Sequence, residues 1–147
     1  AEKLCKEIFA ADENVRGAIV NIGGDIHARG LDENGAKFTF QIYNPVTDDK
    51  NIEIPLFNQS LATSGTYKRK WESDGEQIHH ILGISGKENP TSDIISASVI
   101  HDSGGASEAI AKTLISIGIE ETEKMFGDEK LKFIVIKKNG EIIDKTK

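Results

Sequence analysis

The sequence has very little cysteine: one residue, Cys5, among 147. A lone thiol closes no internal disulfide and makes no zinc site. Cys5 therefore reads as a helix residue. Long apolar runs are also missing; none approaches the ~20 residues a bilayer-spanning helix needs. No signal peptide is read, because Ala1-Glu2-Lys3 leads straight into an amphipathic pattern. Basic residues are outnumbered, 18 against 24, for a net charge of −6. That balance argues against general nucleic-acid binding, which draws its affinity from phosphate neutralisation. The spacings of HExxH, an EF-hand loop, CxxC, a P-loop and G-x-G-x-x-G do not occur, and no Ser-His-Asp order stands out.

What remains is a globular composition, 29% charged and 37% hydrophobic, in a length that fits one domain, residues 1–147. No repeat, low-complexity segment or linker divides it. Leu4, Ile8 and Phe9 predict a short helix over 1–11. A strand leads from residue 17 into Gly23-Gly24. Asn34-Gly35 signals a hairpin, after which Phe38, Phe40 and Ile42 alternate as a half-buried strand. "IEIPLF" reads as a short piece broken by Pro55. Residues 61–81 read as two strands around Ser73-Asp74-Gly75, with Tyr67, Arg69 and Trp71 on one face of the first. Ile95, Ala97 and Val99 alternate in a strand over 93–101. Helices follow over 103–118 and 119–126, and Asn139-Gly140 closes a last hairpin. Strands and helices do not alternate regularly, which predicts an α+β fold: a mostly antiparallel sheet with packed helices.

Several clusters carry candidate chemistry. Gly23-Gly24 lets a backbone approach a flat ligand, with Asp25 as an acceptor; a bulge with Asp25 capping a turn explains the same residues. Thr63-Ser64-Gly65 offers hydroxyls and N–H groups to a phosphate or ring carbonyl, or makes a plain turn. Lys68-Arg69-Lys70, between Tyr67 and Trp71, suits a diphosphate and a stacked ring, or a solvated strand face. His79 and His80 point to opposite sheet faces, a poor metal chelate. Glu108 and Lys112 are spaced as a helical ion pair, on a turn that also suits a ligand's phosphates.

Taken in order, "NIGGDIHARG" (21–30), "LATSGTYKR" (61–69), "HHI" (79–81) and "SEAIAKTL" (107–114) resemble the C-terminal half of the ApbE family of flavin transferases. The resemblance implies an ApbE-like fold and an enzyme that cleaves FAD at its diphosphate. FMN passes to a Ser or Thr of an acceptor protein, a flavin-bearing subunit of a redox complex, and AMP leaves. It places Gly23, Gly24, Ser64, Gly65, Tyr67, His80 and Ile81 on the flavin side. It places Glu108 and the Ala111 carbonyl at a magnesium ion. Members are often exported or membrane-anchored.

The sequence departs from the family pattern in three places. Glu108 stands for an Asp, and Lys112 stands for a Thr metal ligand. "HILGISG" (80–86) replaces a longer Asp-Pro loop. The family's upstream half, with its K-G-x-A-x-D segment, has no counterpart here. Lys112 is expected to put a fixed positive charge beside a diphosphate where the family uses magnesium. The alternatives are a degenerate, non-catalytic flavin-binding or interaction module, and one half of a two-part enzyme completed by an N-terminal half or a homodimer partner.

Overall fold

The computed structural model describes residues 1–147 apart from 68, 69, 74, 75, 80, 84, 87 and 128–130; for 70–73 and 76–79 it describes the backbone. Six strands make one antiparallel sheet: in spatial order β1 (Gly17–Ile22), β2 (Asp25–Gly30), β5 (Gln59–Gly65), β8 (Ile94–His101), β9 (Lys132–Lys137) and β10 (Ile142–Asp144). Two further hairpins pair β3 (Phe38–Asn44) with β4 (Asp49–Leu56), and β6 (Lys70–Ser73) with β7 (Glu76–His79). The helices are α1 (Glu2–Ala11), α2 (Gly104–Ile117) and α3 (Ile119–Phe126).

Strand alternation divides the sheet's residues between two covers. On one face, Ala97, Val99, Phe133 and Val135 pack against Ile110, Ala111, Leu114 and Ile115 of α2. On the other, Ala28, Leu61, Ile100 and Ile134 pack against Ile42, Ile54 and Leu56 of the β3–β4 hairpin. The fold is therefore three layers, helix, sheet and hairpin, because β8 and β9 carry apolar residues on both faces. α1 lies on the α2 side over β1 and β2, with Cys5 fully buried and its thiol donating to the Ala18 carbonyl.

Three sequence expectations differ from the structure. Asn34-Gly35 sits in a turn, but β2 pairs with β1 and β5 while β3 pairs with β4. The turn connects two layers, and the Asp32 carboxylate organises it by accepting from the N–H groups of Asn34 and Ala36. Pro55 does not break its segment. It lies inside the eight-residue β4 opposite Thr39, where a two-stranded hairpin leaves an outer edge that needs no donor. Tyr67 is not in a strand: β5 ends at Gly65 and β6 starts at Lys70. Arg69, Ser73-Asp74-Gly75 as a turn, and the Trp71 side chain lie outside the described atoms.

Gly23 and Gly24 form the two-residue turn between β1 and β2, with φ of +66° and +109°. An added Cβ at either would meet nothing within 4 Å. The requirement is conformational, since L-residues are strained at positive φ. Gly24→Ala is expected to lower stability by about 1–2 kcal/mol, measured by urea denaturation, although it introduces no clash.

Candidate functional site

β2 pairs with β5 at three positions only: Ile26 with Leu61, His27 with Ser60, and Ala28 with Gln59. Beyond Ile26 the β1–β2 tip and β5 part, and among the described residues Ala62–Gly65 keep only β8 as a strand partner. A hollow of about 220 Å³ opens at this fork, lined by Asp25, Ile26, Leu61 and Ala62, by Glu2 of α1, and by Gly104, Gly105, Ser107 and Glu108 of α2.

α2 begins at this hollow, and its N-cap residue Ser103 makes no side-chain capping bond. Its first N–H groups have no intrahelical partner and carry the positive end of the helix dipole. One of them, that of Gly104, donates to Glu2 Oε2 at 2.8 Å, while Glu2 Oε1 pairs with Lys6 at 2.5 Å. Both contacts favour the carboxylate, the Lys6 bond most, and hold Glu2 below the usual carboxylate range. Gly105 is exposed and its surroundings are open.

Asp25 is pushed the other way. Burial raises its carboxyl, the charge of Glu108 raises it further, and the ammonium of Lys112 partly offsets both. Lys112 Nζ is bonded to Glu108 Oε1 on the exposed side of α2. One lysine thus lies within the field of two carboxylates that line one hollow. Because folding raises the Asp25 pKa above its unfolded value of about 3.9, the protonated form is favoured in the fold. That stability is complete below the unfolded pKa and is lost as pH rises through the folded one. Asp25→Asn is expected to raise the melting temperature at pH 7, with the gain shrinking toward zero by pH 3.

The other candidate residues lie around this fork on different surfaces. Gly23 and Gly24 form its exposed tip, where the Gly24 N–H donates to Asn21 Oδ1. Ser64 is buried on β5 opposite Ala97. Gly65 turns its open face to the Tyr67 ring, 2.4 Å from where a Cβ would stand, and Tyr67 meets Tyr43 of β3 with ring centroids 5.7 Å apart. Ser96, directly opposite Gly65, is buried on that same face, and its hydroxyl has no hydrogen-bond partner among the described residues. Ile81 and Ala111 are buried in the apolar cluster beneath α2. His80 lies outside the described residues. The structure therefore joins Glu108 and Lys112 to the neighbourhood of Gly23-Gly24 through Asp25. It sets Gly65 and Tyr67 on the opposite face of the sheet.

Two residues at the hollow gain roles that the sequence did not give them. Asp25 was read as an acceptor beside the glycine pair, but its coupling to Glu108 was not legible. Glu2 lies 102 residues from the helix end it caps, and no local pattern signals that contact. Among the described residues, no group of three or more His, Cys, Asp or Glu side chains is placed to hold a metal ion, and no helix is long and apolar enough to cross a membrane.

A model of the ApbE family matches residues 3–135. The chain belongs to the ApbE family. It is 33% identical over 130 residues to an FAD:protein FMN transferase of Buchnera aphidicola subsp. Baizongia pistaciae, covering 87% of this chain and 38% of that protein. To an FAD:protein FMN transferase of Klebsiella pneumoniae it is 27% identical, covering 92% and 42%. The fold is that of the ApbE protein of Thermotoga maritima, with a TM-score of 0.81 at 23% identity over 97% of this chain and 47% of that one. It is likewise that of the flavin transferase ApbE of Vibrio cholerae, with a TM-score of 0.76 at 20% identity over 98% and 47%. This ApbE-family chain thus spans less than half the length of these relatives.

Proposed function

We propose that this chain carries the dinucleotide site of an FAD:protein FMN transferase. The observation that carries the reading is the convergence of Asp25, Glu108 and the α2 N-terminus on one hollow, with Lys112 paired to Glu108 beside it, in a chain matched by the ApbE family over residues 3–135. In the proposed reaction, a Ser or Thr hydroxyl of an acceptor flavoprotein attacks the FMN phosphorus of FAD. The P–O bond to AMP breaks, AMP leaves, and the hydroxyl proton passes to solvent. Such transfers depend on positioning and charge stabilisation.

The diphosphate lies at the α2 N-terminus, where N–H groups and the dipole favour anions, with Lys112 alongside. The ring system lies on the Tyr67 side. There, Tyr43 and Tyr67 supply aromatic surface, and the Ser96 hydroxyl, without a partner among the described residues, offers a donor to a ring carbonyl or nitrogen. The strand edge from Ala62 to Gly65, about 10 Å long, separates the two positions and leaves a path for the ribityl chain between them.

The magnesium that the family resemblance implies does not fit the residues present. Glu108 is already paired with the Lys112 ammonium. The described side chains form no third-ligand group, and Ala111 is enclosed in the core. No step is therefore derived through a metal; Lys112 supplies fixed positive charge in its place. The same substitution favours a second reading, in which the chain binds FAD without turning it over.

Incubation with FAD and a Ser/Thr acceptor peptide, with AMP followed by chromatography and the peptide by mass, separates the two. AMP release with equimolar FMN-peptide is the expected result. FAD binding without AMP supports the binding module, and no FAD binding overturns both.

A further inference from the structure

We infer that Glu2 is a built-in competitor for the diphosphate: its carboxylate holds the N-terminus of α2, and an anionic ligand binds there by displacing it. The inference rests on the dinucleotide reading of the hollow and deepens it, by naming the contact that must break before the diphosphate seats.

The donors at the helix end can be counted. The first four N–H groups of an α-helix lack intrahelical partners; in α2 they belong to Ser103, Gly104, Gly105 and Ala106. The Ser103 N–H donates to His101 Nδ1 at 2.9 Å, and the Gly104 N–H to Glu2 Oε2 at 2.8 Å. The N–H groups of Gly105 and Ala106 have no partner among the described residues. Serine is a favoured N-cap type, yet the Ser103 side chain caps nothing. The anionic partner of this helix end comes instead from another helix.

The two glycines keep that end bare. Neither Gly104 nor Gly105 has a positive φ, so the backbone does not demand glycine, which is a poor helix former. A Cβ at Gly105 would find only Ser103 Oγ, at 4.0 Å; at Gly104 it would stand 3.3 Å from Ser60 Oγ and 3.6 Å from Glu2 Cβ. Both glycines line the hollow, and Glu2 Oε2 meets only one of their N–H groups. Phosphoryl oxygens are more numerous than the one carboxylate oxygen now in place, and can take several such donors together.

Glu2 and the diphosphate exclude one another. Glu2 is ionised at neutral pH, because the Lys6 bond above all, and then the Gly104 N–H, hold it below the usual carboxylate range. With Glu2 in place, an arriving diphosphate would face three carboxylates lining one hollow, those of Glu2, Asp25 and Glu108. Departure does not require α1 to unfold. The Glu2 side chain is 26% exposed and that of Lys6, one turn on, 49%, so the carboxylate can rotate toward water and keep its ion pair. Buried Cys5, bonded to the Ala18 carbonyl, keeps the helix on the sheet.

Calorimetric titration with ADP in EDTA tests this on the native chain, Glu2→Gln, Glu2→Ala and Glu7→Gln. Both Glu2 variants should bind ADP at least about fivefold more tightly, because the helix end loses its internal anion. Glu7→Gln removes the same charge from the exposed face of α1, where Glu7 lies 4.0 Å from Lys3, and should stay within about twofold of the native affinity. Glu2→Ala should also melt below the native chain, so that affinity and stability move in opposite directions, which the loss of a purely structural contact would not produce. Carbon-13 titration of the Glu2 carboxylate should show its pKa rising when ADP is saturating. Unchanged or weaker binding by Glu2→Gln, equal tightening by Glu7→Gln, or a Glu2 carboxylate still held low with ADP bound overturns the inference and leaves the dinucleotide reading standing. Failure of every protein to bind ADP counts against the dinucleotide reading itself, and the inference falls with it.

Discussion

Lys112→Thr is expected to weaken metal-free FAD binding by at least about tenfold, and millimolar magnesium is expected to restore most of that loss. In the native chain the Lys112 ammonium lies in the field of Glu108 and Asp25, which line the hollow. Removing it leaves two carboxylates beside an arriving diphosphate. At an effective dielectric of about 20, unit charges 4 Å apart interact by about 4 kcal/mol. Solvent screening at half-exposed side chains reduces this severalfold, and about 1.4 kcal/mol already corresponds to a tenfold change in affinity. Threonine adds an oxygen next to the freed Glu108 carboxylate, an oxygen pair suited to a hard cation. Lys112→Met should show the same loss without the rescue. Titration of FAD in EDTA and in magnesium, for the native chain and both variants, checks this. Equal affinities across all three proteins would remove Lys112 from the site.

Leu114→Ala is expected to destabilise the fold by about 3 kcal/mol, within the usual range of about 2–5 for a buried leucine truncated to alanine. Leu114 is fully buried where α2 meets β8 and β9, in a cluster that includes Val99, Ile110, Phe133 and Val135. Interior side chains cannot close such a void without leaving their rotamers. Urea denaturation measures the change, which should appear in the midpoint with the slope unaltered. The variant also separates packing from chemistry. Where it remains folded, FAD affinity should change less than with Lys112→Thr, because Leu114 lies on the core face of the helix and Lys112 on its exposed face. A shift below about 1 kcal/mol would show that α2 is not held by this core.

Much of the fold was legible because its signals are local. The alternation of Phe38, Phe40 and Ile42, the apolar stripe of α2 and the stop at Gly118 each depend on neighbours within a turn or a strand. What escaped was set by distant partners. Asn34-Gly35 makes its turn, but only the pairing of β2 with β5 across 33 residues, seen in His27 Nδ1 and Ser60 Oγ at 2.7 Å, decides that the turn leads to another layer. Pro55 reads as a breaker until the hairpin is known to stand alone with an outer edge. The opening half of 61–81 reads as one strand because it is polar and continuous; in the structure β5 ends at Gly65, and Thr66 bonds back to the Ile95 carbonyl.

The site divides along the same line. Family motifs drew attention to Gly23-Gly24, Ser64-Gly65, Tyr67 and Glu108, each on its own stretch of sequence. Their arrangement on two faces of a forked sheet depends on β2 leaving β5 after Ile26, which no single motif encodes. Asp25 gained its significance from Glu108, 83 residues later, and Glu2 from the helix end it caps. The Glu108–Lys112 pair was legible from spacing alone, and the conflict between its ammonium and a magnesium ion followed from the family resemblance.

The most direct test of the central claim, that this fork holds the diphosphate of a dinucleotide, is parallel calorimetric titration with FAD, ADP and FMN in EDTA. The account predicts that FAD and ADP both bind, since they share the diphosphate, and that FMN binds at least about tenfold more weakly than FAD. FMN binding as tightly as FAD with no binding of ADP would contradict it, as would the loss of all three without a divalent cation.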